Sequence, residues 1–122
     1  MLSIEIAKKL KDAGLKWDPK LRDPFYYRED DDWEMDVLNK QDMQEATSEV
    51  DEYIADWVFA PRLDQTLAYM EEQGYKVEST QDACYIFHPE KSSYWREFLA
   101  ENRINAAAEA LLYILEGRTT HE

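Results

Sequence analysis

The sequence predicts an α+β fold: a small, mostly antiparallel sheet of three to four strands packed with helices, among them an N-terminal and a C-terminal helix. Three observations predict it. Apolar stripes at helical spacing stand near both ends of the chain, a third lies behind a proline in mid-chain, and short aromatic or alternating segments separate them. With 122 residues, 44% of them hydrophobic, the chain is long enough for one core-forming domain, 1–122, carrying an acidic insert at 29–56.

Ser3 to Ala13 reads as a helix, with Ile6, Leu10 and Ala13 on one stripe, Ser3 as N-cap and Gly14 as the residue that ends it. Pro19 and Pro24 make the following segment a loop. Phe25-Tyr26-Tyr27-Arg28 is short, aromatic and flanked by breakers, which favours a strand. Positions 39–56 are ambiguous, although Val50, Tyr53, Ile54 and Trp57 fit a helical stripe; Trp57-Val58-Phe59 then reads as extended.

Pro61 to Gln73 is the clearest helix, with Pro61 in the first helical position, Leu63, Leu67 and Met70 on one stripe, and Gly74 beyond its end. Tyr75 to Glu78 and Ala83 to Phe87 read as an antiparallel hairpin turning at Thr80-Gln81-Asp82. Tyr94 to Ala100 fits a helix or a strand, and the strand is preferred. Asn102 caps a last helix from Arg103 to Glu116, with Ile104, Ala107, Ala108, Leu111, Leu112 and Leu115 on its face and Gly117 as its stop.

Charge is the second informative feature. The chain holds 27 Asp+Glu against 14 Lys+Arg, a formal net charge of -13. Residues 1–28 carry +3 (seven basic, four acidic), residues 29–56 carry -11 (one basic, twelve acidic) and residues 57–122 carry -5 (six basic, eleven acidic), which sum to -13. This balance argues against direct binding to nucleic acid through phosphates and against docking on an anionic membrane. No apolar run approaches the ~20 residues needed to span a bilayer, and the N-terminus lacks the apolar core of a secretory signal. Cys84 is the single cysteine, so no intrachain disulfide forms and a reducing, cytoplasmic setting is expected.

The motifs Phe59-Ala60-Pro61-Arg62-Leu63, YKVEST…ACYIFHP and Ala106-Ala107-Ala108-Glu109-Ala110-Leu111-Leu112, with the opening Ile6-Ala7-Lys8-Lys9-Leu10-Lys11-Asp12-Ala13-Gly14, resemble those of small phage and prophage proteins of the α/β/α-sandwich type. The likeness covers about half the chain. It implies a mobile-element origin and a cytoplasmic setting, and it carries no catalytic residues across.

No catalytic constellation is visible, so the chain is read as a non-enzyme. His88 stands at a strand end without partners for general-base work, and His121 is next to the C-terminus. Cys84 lies in an apolar strand, where a buried inert thiol is the common outcome, and strand geometry keeps it ~13 Å from His88. Asp30, Asp32, Glu34 and Asp36 begin like a calcium loop, but Met35 stands where glycine is required and Gln41 where glutamate is required. One cysteine and two distant histidines cannot build a structural zinc site. Gly14, Gly74 and Gly117 each follow a helix and form no phosphate cradle. No cofactor and no metal are expected.

The remaining candidates are partner-binding residues: Asp30, Asp31, Asp32, Trp33, Glu34 and Asp36. Trp33 between carboxylates is hard to bury and would suit a binding anchor. The preferred function is an accessory, non-catalytic module that meets a basic protein surface through this segment. Its extreme form is a DNA mimic that blocks a nucleic-acid-binding protein. Two other readings are an unrecognised enzyme using paired carboxylates and a homodimer built on the Ala-rich last helix or an open sheet edge. The plainest rival is a solvated acidic face that only keeps the chain in solution.

Overall fold

The computed structural model describes residues 2–18, 20–39, 57–90 and 95–120. It has the α+β architecture: α1 (Ile4–Asp12), β1 (Pro24–Glu29), β2 (Asp32–Val37), β3 (Val58–Phe59), α2 (Leu63–Glu72), β4 (Lys76–Ser79), β5 (Ala83–Phe87), β6 (Trp95–Leu99) and α3 (Arg103–Thr120). The strands divide into two three-stranded sheets, ordered β2-β1-β3 and β4-β5-β6, and every pairing is antiparallel. The helical stripe expected at Val50, Tyr53 and Ile54, the loop residues 91–93, Tyr94 and His121 lie outside the described residues.

The caps form where their chemistry allows. The Ser3 Oγ accepts a hydrogen bond from the Ile6 amide at 3.3 Å, and the Asn102 Oδ1 accepts one from the Asn105 amide at 2.9 Å. Gly14 and Gly74 follow α1 and α2 with φ of 96° and 95°, a region that favours glycine. Gly117 behaves differently from expectation: α3 continues through it to Thr120. Glycine inside a helix costs about 1 kcal/mol relative to alanine, which a long packed helix tolerates. Pro61 also sits earlier than expected, because Arg62 is the N-cap of α2 and Leu63 its first residue.

The centre of the molecule is α3. Ala106, Ala107, Ala108, Ala110 and Leu111 are fully buried, and Leu112, Ile114 and Leu115 nearly so. That burial extends beyond one stripe because α1, α2, β5 and β6 all pack on this helix. Small alanines let those elements approach, and Leu2, Leu10, Met70, Cys84 and Ile86 close the core around them. The first sheet joins this core through Tyr26, Trp33, Met35 and Val58, on the face toward α1, where the Tyr26 hydroxyl donates to the Leu2 carbonyl.

One buried charge organises the entry to the first sheet. Asp23 is 2% exposed. Its Oδ2 accepts from the Trp17 Nε1 and from the Lys20 amide, each at 3.0 Å. Its Oδ1 accepts from the Gln65 Nε2 at 2.8 Å, with the Arg62 Nη1 at 3.8 Å. Gln65 is bound from both ends, since its Oε1 accepts from the Arg62 amide at 2.8 Å. The turn closed by the Asp23 amide on the Lys20 carbonyl, at 3.0 Å, holds Arg22 at φ 72°. That conformation strains a residue with a Cβ by ~1–2 kcal/mol. The three bonds to the Asp23 carboxylate hold the turn against this strain.

Two substitutions check this account. Asp23→Asn keeps the shape but offers one carboxamide oxygen to donors that use two, so it lowers stability by ~2–4 kcal/mol in urea unfolding. Arg22→Gly relieves the left-handed backbone and raises stability by about 0.5–1 kcal/mol in the same assay.

Candidate acidic hairpin face

The acidic stretch that follows β1 is a second strand. Glu29 pairs with Asp32, which leaves Asp30 and Asp31 as a two-residue hairpin loop. Asp30 has φ 55°, a left-handed conformation that Asp accepts more readily than most residues. From there the strand alternates. Trp33, Met35 and Val37 share a face with Arg28, Tyr26 and Pro24, and Asp32, Glu34 and Asp36 share the opposite face with Glu29, Tyr27 and Phe25.

This alternation separates the expected site residues. Asp32, Glu34 and Asp36 are exposed on the outer face, ~6.7 Å apart along the strand, and the exposed loop residues Asp30 and Asp31 stand at its end. Trp33 does not stand exposed among them, as the sequence suggested. It is turned to the core side, half-buried, with the Lys8 Nζ 5.1 Å from its ring centre and the Arg28 guanidinium at 6.0 Å. A side chain so placed contributes a cation–π contact and core packing to the first sheet rather than an anchor beside the carboxylates.

The aromatic neighbours of the carboxylates are other residues. Phe25 lies opposite Asp36 on one side and Phe59 on the other. The Trp17 ring stacks on Phe59 at 5.2 Å and 2°, and the Trp57 ring stacks on Phe25 at 4.5 Å and 24°. Tyr27, opposite Glu34, lies 6.0 Å from Phe25. Phe25 is buried and the four other rings are half-buried, so the cluster lies beside the carboxylates on the same face, extending from β1 toward β3. The Tyr27 hydroxyl titrates above its ordinary range, first through desolvation and then through Glu29, Asp36 and Glu34. The sequence signal for this face was the period-two alternation of Asp32 to Val37, which the density of charge obscured.

The structure places the two remaining candidates, His88 and Cys84, at opposite extremes of burial. His88 follows β5, is exposed, and accepts the Glu90 amide at Nδ1 at 3.1 Å, with its ring edge-on to Tyr75 at 6.2 Å. Cys84 is fully buried, between Ser79 and Phe98 in the strand register. Among the described residues, no group of three or more His, Cys, Asp or Glu side chains is disposed to hold a metal ion. No helix among them is long and apolar enough to cross a membrane.

Burial pushes the Cys84 thiol up to about 11. Below a pH of ~8.5, the ordinary thiol value, folded and unfolded chains both keep the proton. Between that value and about 11 the unfolded chain ionises while the fold does not, so native stability falls as pH rises through this window. The stability of the wild type should therefore fall by about 2 kcal/mol relative to Cys84→Ala between pH ~8 and pH ~10.5. Native protein should resist iodoacetamide at pH ~8, while the urea-unfolded chain reacts at the rate of an open thiol.

No family model, curated protein or solved structure matches this chain.

Proposed function

We propose that the chain is a non-catalytic protein-binding module whose outer hairpin face docks on a basic protein surface. The observation that carries this reading is the arrangement of Asp32, Glu34 and Asp36: three exposed carboxylates in register on one face of an edge strand, with Glu29 opposite Asp32 on the neighbouring strand. A rigid row of like charge attracts a complementary surface over a distance comparable to the Debye length, ~8 Å at physiological salt. The half-buried Tyr27, Trp17 and Trp57 rings beside the row supply amphipathic area of the kind that carries much binding energy at protein contacts. The single cysteine supports a reducing, cytoplasmic setting, and the likeness to phage-type α+β proteins supports an accessory role.

One observation favours a second reading. The ~6.7 Å step between alternate strand carboxylates is close to the roughly 6–7 Å between neighbouring phosphates of a nucleic-acid strand. In that form the face imitates a short run of phosphates, and its partner is a nucleic-acid-binding protein.

The triple variant Asp32→Asn, Glu34→Gln, Asp36→Asn tests the docking face. These side chains are exposed, so urea stability changes by no more than about 0.5 kcal/mol. Partners captured on the immobilised wild-type chain at low salt should be lost from the variant and weakened in the wild type at moderate salt. Retention of the same partners by the variant overturns the reading. Displacement of a captured partner by duplex DNA selects the phosphate-imitating form over a general basic surface.

A further inference from the structure

The second sheet has one covered face and one open face. Cys84, Ile86 and Phe98 point into the core against α3, whereas Tyr85, Phe87, Trp95 and Leu99 lie outside the core cluster. Leu99 and Trp95, 67% and 56% exposed, are the two most exposed large apolar side chains among the described residues. Both belong to β6, the edge of its sheet, and no strand pairs with its outer side among those residues. An exposed apolar edge invites pairing with another chain.

The charge on this face identifies the occupant. Glu97 stands between Trp95 and Leu99 and lies opposite Tyr85, which lies opposite Glu78 on its other side. The Tyr85 hydroxyl binds Glu97 and titrates high, first from that bond, then from the Glu97 charge, from desolvation, and from the Asp82 and Glu78 charges. Glu97 and Glu78 thus flank Tyr85 on either side, with Tyr85 and Trp95 centred 6.3 Å apart, while Lys76, the cation of this face, lies opposite Phe87 with its Nζ 6.0 Å from that ring and away from Glu97. A cation set against Glu97 meets a carboxylate and lies within reach of the neighbouring Tyr85 and Trp95 rings.

We propose that β6 takes an extended basic peptide by strand addition, with a Lys or Arg opposite Glu97 and apolar side chains opposite Trp95 and Leu99. Backbone bonds along the open edge supply affinity, and the alternate side chains supply specificity. A second copy of this chain fits less well. The two-fold register that sets Trp95 against the other copy's Leu99 also sets Glu97 against Glu97, and like charges directly opposite are destabilising. The formal charge of -13 on each copy adds to the repulsion. This surface lies on the other sheet from the acidic hairpin and does not depend on the reading given for it.

The test is a titration of the whole 15N-labelled chain with a blocked peptide whose centre reads Val-Thr-Lys-Thr-Val. Amide shifts should centre on Trp95–Leu99, and exchange of the β6 amides should slow. Glu97→Lys, or Glu in place of the peptide's Lys, should weaken binding by about fivefold or more, and combining the two should restore it. The triple hairpin variant should bind the peptide as the wild type does, so the two readings fail separately. Equal affinity for the acidic peptide, shifts centred on the β1–β2 hairpin, or no binding overturns the proposal. So does a dimer in sedimentation with protected β6 amides, which makes the occupant a second copy.

Discussion

The carboxylate of Asp23 is the contact from which the first sheet takes its position. A charge at 2% exposure is tolerated only when donors replace the water it has lost, and here they come from three separate segments. Trp17 belongs to the loop after α1, Lys20 to the turn before β1, and Gln65 to the first turns of α2. One side chain therefore ties the entry of β1 to the helix that leads to the second sheet. It also orients the Trp17 indole, whose ring lies flat on Phe59. The backbone of the same residue extends the β1–β2 pairing, since its carbonyl accepts the Leu38 amide at 3.0 Å. A single residue thus joins a buried carboxylate, the start of the β1–β2 ladder and the Trp17 ring of the aromatic cluster.

That dependence explains which parts of the fold are legible in the sequence. Helices α1, α2 and α3 are signalled by local facts: an apolar stripe, a capping side chain, a glycine beyond the end. The β4–β5 hairpin is signalled by alternation around a polar turn. All of these are present with small shifts of boundary, and Gly117 is passed through because α3 is held from several sides rather than by its terminus. Asp23 carries no such signal. An aspartate before a proline reads as a loop residue, and nothing local shows that Gln65, forty-two positions later, will donate to it.

The acidic face was half legible. Composition located the charge and selected the residues, and strand geometry then divided them. Asp and Glu are poor strand formers by propensity, so the charge run resembles a solvated loop. Yet Trp33, Met35 and Val37 alternate with Asp32, Glu34 and Asp36, and that period outweighs propensity once the apolar set can reach the core. The same period removes Trp33 from the carboxylates. It follows that a tryptophan flanked by acids is a poor guide to exposure, because adjacent residues of a strand face opposite ways.

The edges of the two sheets are treated in opposite ways by the sequence. On β2 the outward positions are all carboxylates, an arrangement that repels a neighbouring strand of similar charge and protects an open edge from indiscriminate pairing. On β6 the outward positions are Trp95, Glu97 and Leu99, with one charge between two large apolar groups. If protection were the sole purpose of surface charge here, the apolar edge would carry the greater share of it. Both strands have their other face packed on the core, through Trp33 and Met35 on β2 and Phe98 on β6, so packing alone does not account for the difference, and the proposed basic strand is the one partner whose charge Glu97 would meet with the opposite sign. A chain with a net charge of -13 can leave such an edge open, because the commonest wrong partner at high concentration is a copy of itself, and every copy carries the same sign.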